Sequence, residues 1–336
     1  MKKFKVLLVS FLFVVFVLGF STSCKQPEET KPVFKLATVM PGSIQDADYN
    51  TIGYIATQEI GDEFGIEKAY SEKVAVPDVE RVIKEYISDG YNIIWVHGNQ
   101  FNSAALKVAD ENPDVTFIIE VDSEPTDMKP NVWYFHRNFH RGFYVLGALA
   151  ALKTETGKIG YLGGLEMPFT HGEINAVKQA IKDLGLNVAL EYIYAGDMND
   201  PLKARQAAES LISRGVDVIL SSVNLGNYGV YNALAEADRP VYITVKYTDK
   251  YAQAPQNYLT ADLFDFKVPL REVVGRVIKG EKGGFLMLEY GEGKARYAQF
   301  PIRNVSDEIN NRVKQIADDV ASGKIQVIEK LDVIDP

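Results

Sequence analysis

The stretch IQDADYN sets Asp46, Asp48, Tyr49 and Asn50 side by side between an apolar run and a helical period. Such a loop is either a polar turn with a helix cap or one wall of a binding site. Asp48 is expected to cap the helix that begins near Tyr49, because a short carboxylate accepts from the free N–H groups of a first turn. Five further loops follow expected strands: HGNQFN with His97, Gln100 and Phe101, EMPFTH with Phe169, AGDMND with Met198, NLGNYG with Asn224 and Gly226, and KYTDKY with Lys246. They carry amides, an imidazole, aromatic rings and small residues, and no nucleophile–base pair. At the strand ends of both halves of the chain, they describe a binding cleft better than a catalytic centre.

Motifs that would direct a different chemistry are missing from the sequence. There is no G-x-G-x-x-G, no GxxxxGK[ST] and no G-x-S-x-G elbow; EYGEGKA has the Gly-Lys pair without the upstream Gly or the hydroxyl residue. His136 and His140 are four apart but straddle a strand-to-helix junction, and a metal site needs three or more converging ligands. No metal and no cofactor is expected. A formal charge of −9 without a basic stripe argues against a nucleic-acid partner.

The elements that must position these loops alternate along the chain. Expected strands are FKLATVM, NIIWVHG, VTFIIEV, NVWYF, KIGYLGG, VALEYIYAG, VDVILSSV, PVYITVKY and YLTADLF. Helical periods between them include VERVIKEYISDG, INAVKQAIKDLG and PLKARQAAESLISRG, which end at Gly90, Gly185 and Gly215, the residue type that enters the left-handed region after a helix. Strands that are apolar nearly throughout belong to parallel sheets covered on both faces. The pattern therefore predicts βαβ units in two similar halves of four or five strands each, one from about residue 33 and one from KTETGKIGYLGG. Two such sheets facing each other make a cleft at the C-terminal ends of their strands.

The N-terminus reads as an export signal. A head with Lys2, Lys3 and Lys5 precedes the uncharged apolar run Val6 to Phe20, and small residues lead into Cys24. Those fifteen residues fall short of the roughly 20 that span a bilayer. Residues 1–23 are expected to be a signal peptide and 24–32 a polar tether. Without the three signal lysines the remainder carries −12. Cys24 is the only cysteine, so it has no internal disulfide partner, and lipidation is its best use.

The mature chain as a whole resembles the basic-membrane-protein (BMP) family of lipoprotein solute-binding proteins, which includes purine-nucleoside receptors. The matching segments are DADYN (the family's D-x-x-F/Y-N), NPDVTFIIEVD, RGFYVLGALAALKTETGKIGYLGG, RGVDVILSSVNLGNYGVYNAL and PVYITVKYTDKY with NYLTADL. The resemblance implies a type I periplasmic-binding-protein fold, α/β, with two doubly wound (Rossmann-like) lobes joined by a three-crossover hinge. The lobes are expected at 33–137 plus 265–300 and at 138–264 plus 301–336. By the same resemblance, Asp46 and Asn50 would bond the edge of a heterocycle, Tyr49 would stack on it, and Gly226 would let backbone approach it. Asp262 and Phe264 fall in the matching LTADLF segment.

Lys246 stands where nucleoside receptors of the family carry an acid that grips ribose hydroxyls, and it favours a carbonyl or anionic acceptor on the ligand. Met198 replaces a stacking aromatic, with Phe101, Phe169 and Phe264 as possible substitutes. The implied function is a membrane-anchored, monomeric, non-enzymatic receptor. It would capture a purine base or nucleoside-like solute for an ABC permease and ATPase. The alternatives are the same fold binding a flavin such as riboflavin or a sugar-like solute, a secreted α/β hydrolase or transferase, and a ligand-presenting sensor.

Overall fold

The computed structural model describes residues 33–334. The expected signal, the tether and Cys24 lie outside them. From the start of this span the chain lays down β1 (Lys35–Val39), α1 (Tyr49–Phe64), β2 (Glu67–Ser71), α2 (Val79–Ser88), β3 (Ile93–Val96), α3 (Asn102–Glu111), β4 (Thr116–Val121) and β5 (Val132–His136). It then continues through α4 (Phe139–Lys153), β6 (Lys158–Gly163), α5 (Pro168–Asp183), β7 (Ala189–Tyr194), α6 (Pro201–Ser213), β8 (Val218–Ser222), α7 (Asn227–Ala235), β9 (Tyr242–Tyr247) and β10 (Tyr258–Phe264). The last elements are α8 (Lys267–Ile278), β11 (Gly284–Met287), β12 (Arg296–Ala298) and α9 (Asp307–Ala321).

The strands form two six-stranded sheets, ordered β11-β5-β4-β3-β1-β2 and β12-β10-β9-β8-β6-β7. All pairings in the first are parallel, and in the second only β12 runs antiparallel, against β10. Alternation within a strand divides each sheet between two cores. In β3, Ile93 and Trp95 pack with α1 and α8, while Ile94 and Val96 face α2 and α3. The second sheet repeats this, with α4, α5 and α9 on one face and α6 and α7 on the other. Gly90, Gly185 and Gly215 have φ of 84°, 65° and 95°, the left-handed conformation read from the sequence.

The chain passes between the sheets three times: after β5, after β10 and between β11 and β12. The third passage corrects one boundary. Residues 296–298 were expected in the first lobe, but β12 pairs with Asp262–Phe264 of β10, so the chain has already returned to the second sheet. The pairing is fixed by Arg296, which bonds Asp262 and donates to the carbonyls of Arg137 (3.1 Å) and Asn138 at the first passage. Burial raises the Asp262 carboxyl above its ordinary range while Arg296 pulls it back.

Candidate ligand-binding site

A cavity of about 450 Å³ lies between the lobes, where the strands of both sheets end. All five loops singled out in the sequence reach it: Asn99 and Gln100 from the first lobe, and Met167 and Phe169, Asp197 and Met198, Asn224, and Lys246 and Tyr247 from the second. Tyr49 and Asn50 at the start of α1 complete the first-lobe wall, together with Gly42 and Arg137.

Neither aspartate of the opening loop takes the role expected of it, and neither lines the cavity. Asp48 occupies the position before α1 but makes no side-chain cap. Asp46 caps instead: its carboxylate accepts from the backbone N–H of Asp48 (2.9 Å), Asn50 (3.0 Å) and Thr51 (3.0 Å) and from Asn50 Nδ2 (2.6 Å). Those acceptances turn Asp46 inward, buried and off the cavity wall. Asn50 remains on the wall, held by Asp46 on one side and by the Gly42 N–H (3.0 Å) on the other. A Cβ on Gly42 would stand 2.4 Å from Asn50 Nδ2, so only glycine permits this approach.

Beneath the wall lies a buried polar stack. The Tyr49 hydroxyl donates to Glu120 (2.5 Å), and its ring stacks on His97 with centroids 3.8 Å apart. His97 Nδ1 is 2.5 Å from Glu120, and Nε2 is 2.8 Å from the Tyr49 carbonyl. Both ring nitrogens thus face oxygen atoms, one of a carboxylate and one of a backbone carbonyl. Burial pushes the Glu120 carboxyl up, but His97, Arg137 and the Tyr49 hydroxyl outweigh it and hold the carboxyl below its usual range. His97 therefore supports Tyr49 from behind and is absent from the cavity lining.

The two cations on the cavity wall are each paired from within. Lys246 Nζ contacts Glu173 (2.7 Å) and Ser222 (3.1 Å) and lies 4.0 Å from the centre of the Phe139 ring. Burial lowers its pKa, and Glu173 opposes the shift. Glu173 in turn accepts from the Tyr161 hydroxyl (2.6 Å). Arg137 donates to Asp122 (2.9 Å from Nε) and covers Phe139 and Phe169 at 4.7 and 5.1 Å. The second carboxylate oxygen of Asp122 orients Asn99 Nδ2 (2.9 Å). Among the described lining residues Asp197 is the one acid, and its Oδ1 is fixed by the Asn199 N–H at 2.7 Å.

Other residues expected at the site lie elsewhere. Phe101 is buried in the core under the far face of the first sheet, with Val39 and Val96. Phe264 packs among Tyr247, Phe139 and Phe266 behind the wall, and Asp262 is held at the interlobe passages by Arg296. Gly226 donates its N–H to the Met198 carbonyl (3.2 Å), so this glycine shapes the loop that presents Met198 and is itself off the lining. Arg137, Asp122, Glu120, Glu173 and Asp197 were not singled out from the sequence. Their partners lie 15 to 73 positions away, apart from the local bond of Asp197. A charged residue inside the apolar run VWYFHRNF was the single local signal.

The Bmp family model, described as ABC transporter substrate-binding protein PnrA-like, matches residues 33–327. The chain belongs to this family. Basic membrane protein A2 of Borrelia garinii subsp. bavariensis is 26% identical over 309 residues, covering 87% of this chain and 88% of that protein. The CD4+ T-cell-stimulating antigen of Listeria monocytogenes is 24% identical over 309 residues, covering 86% of each. Solved ABC-transporter solute-binding proteins share the fold. One from Conexibacter woesei has a TM-score of 0.70 at 22% identity, over 88% of this chain and 99% of that one; one from Aeropyrum pernix has 0.75 at 18%, over 89% and 94%. The Bmp chain is thus a solute-binding protein with two α/β lobes of the type I periplasmic-binding fold, from a family of substrate-binding proteins rather than enzymes. Among its described residues no helix is long and apolar enough to cross a membrane.

Proposed function

We propose that this Bmp protein captures an uncharged, nucleoside-like ring compound between its lobes and delivers it to an ABC permease and ATPase, while held at the membrane by a lipid on Cys24. The observation that carries the ligand class is the charge balance of the cavity. Lys246 and Arg137 are matched by Glu173 and Asp122, so neither offers a free charge to an anion. Asp197 faces the same space with one carboxylate oxygen held by its own loop. It supplies an acceptor for ligand hydroxyl groups, the role that the resemblance gives to an acid at position 246.

The remaining surface suits a flat ring. Phe169, Tyr247, Met167 and Met198 offer apolar faces, and Asn50, Asn99, Gln100 and Asn224 offer amides for its edge. Specificity then follows from closure, since an analogue lacking a hydrogen-bonding group leaves its partner buried and unpaired. The test is a thermal-shift and calorimetric panel of adenosine, guanosine, inosine, hypoxanthine, riboflavin and AMP. Nucleosides are expected to raise the Tm and AMP to leave it unchanged. If no purine, nucleoside or flavin moves the Tm, the ring-compound reading is overturned; a shift with AMP alone overturns the charge argument.

A further inference from the structure

We infer that Asp48, Thr248 and Lys250 form an interlobe lock that positions the cavity walls Tyr49 and Tyr247 in their closed arrangement. The inference rests on two-lobe solute capture and not on the identity of the solute. Asp48 precedes α1 in the first lobe, whereas Thr248 and Lys250 follow β9 in the second. Lys250 Nζ lies 2.9 Å from Asp48 Oδ1 and 2.5 Å from the Ala47 carbonyl. The Thr248 hydroxyl reaches the same two groups, at 2.9 and 2.8 Å. Asp48 is 1% and Lys250 3% exposed, so the contact is dry.

Two features set this contact apart from a structural ion pair that joins the lobes by chance. The ordinary task of an aspartate at the start of α1 is already performed by Asp46, which leaves Asp48 to point across the gap. The residues flanking the lock are also held in the left-handed region although neither is glycine: Ala47 has φ 58° and Tyr247 φ 73°. A non-glycine residue persists there only when surrounding contacts over-determine it. The residues next to the lock carry its effect to the cavity, because the Tyr49 and Tyr247 rings both line it with centroids 5.5 Å apart.

The lock also links closure to protons. The groups facing Asp48 are Lys250 and Thr248 from the loop after β9, Asp46 from its own loop, Tyr231 from α7 and Tyr247 at the end of β9. Burial raises the Asp48 carboxyl to about 7, with Lys250 opposing the rise. When the lobes part, Asp48 is rehydrated and returns toward its ordinary value of 3.8. Closing therefore takes up a proton between those two values. The closed fraction is greatest at the acid end of that window, declines as pH rises toward 7 and is level above it.

The test reads the lobes directly, without any ligand. The mature chain with Cys24→Ser carries a dye pair at Asp114→Cys in the first lobe and Asp238→Cys in the second, and single-molecule energy transfer is followed from pH 5 to 8. Lys250→Met leaves the Asp48 carboxylate buried without its cation, so at pH 8 the closed-to-open ratio falls by roughly tenfold or more. At pH 5 protonation restores closure, and Lys250→Arg restores it at pH 8. Asp48→Asn removes the proton linkage, and its profile is flat. Circular dichroism and urea midpoints establish that each variant is folded. Unchanged distance distributions in Lys250→Met at pH 8, or a wild-type pH profile in Asp48→Asn, would overturn the lock. Failure of the nucleoside panel has no bearing on either readout.

Discussion

Lys246 stands on the cavity wall, and its burial requires that its charge be matched. Glu173 matches it, and the pair is dry on both sides. Lys246→Met leaves a buried carboxylate alone and is expected to reduce stability by about 3–5 kcal/mol, whereas Lys246→Met/Glu173→Gln recovers most of that in urea unfolding. Asp197 makes the opposite case, because the two cations of the cavity wall, Lys246 and Arg137, are already paired with Glu173 and Asp122. Asp197→Asn is expected to weaken nucleoside binding roughly ten- to hundredfold by calorimetry while sparing a free base that lacks hydroxyls. An equal loss for base and nucleoside would reassign Asp197 to shaping its loop. Neither role was legible in the sequence. Lys246 and Glu173 stand 73 positions apart, so only folding onto β9 and α5 shows that the lysine is spoken for.

At the scale of elements, the nine segments expected as strands all form; IIWV, for example, is apolar on both faces and buried throughout. The three strands that escaped notice share a physical reason. β2 (EKAYS) is an exposed edge with mixed polarity, β11 (GFLM) is four residues long and begins at glycine, and β12 (RYA) is only three residues long, so none carries a periodic signal of its own. The starts of α1, α2 and α6 were legible in position, whereas α5 begins at Pro168, inside the segment read as a loop before Ile174; the chemistry of the α1 start was not legible. Both Asp46 and Asp48 could cap α1, and only the turn through Ala47 decides in favour of Asp46. Asp46→Ala is expected to destabilise the protein by about 1–2 kcal/mol in urea unfolding through loss of that cap. Gly229 tests packing between helices. A Cβ there would fall 1.7 Å from the Pro201 carbonyl oxygen, against backbone that cannot swing aside. Gly229→Ala should lower stability by about 1–3 kcal/mol by forcing α6 from α7, with the loss read as a drop in Tm.

Across the whole molecule, the segment after α9 returns to the first passage between lobes. Glu329 lies 2.9 Å from His136 and 3.1 Å from His140, one on either side of that passage, and His171 bonds the Leu331 carbonyl (3.0 Å). Burial raises the Glu329 carboxyl, but the two histidines outweigh it and bring it down to about 2, against an ordinary value of 4.5. A lowered carboxyl contributes stability that is complete above the ordinary value and disappears as pH falls toward 2. Glu329→Gln is therefore expected to flatten the dependence of Tm on pH between 4.5 and 2, with little change in its slope at neutral pH. An unaltered acid limb would show that the histidine contacts do not hold the carboxylate in solution.

The threefold passage of the chain also sets a timetable for its synthesis. The first sheet lacks its edge strand until residue 287 has been made, and the second until residue 298, although each has five other strands long before. Arg296, the residue that ties Asp262 to the carbonyls of the first passage, is absent throughout that interval. An emerging chain therefore holds two nearly complete sheets with an untied joint and an unpaired carboxylate between them. The last fifth of the polypeptide supplies first β11 and then β12, so a chain stopped short of it lacks the final strand of both sheets.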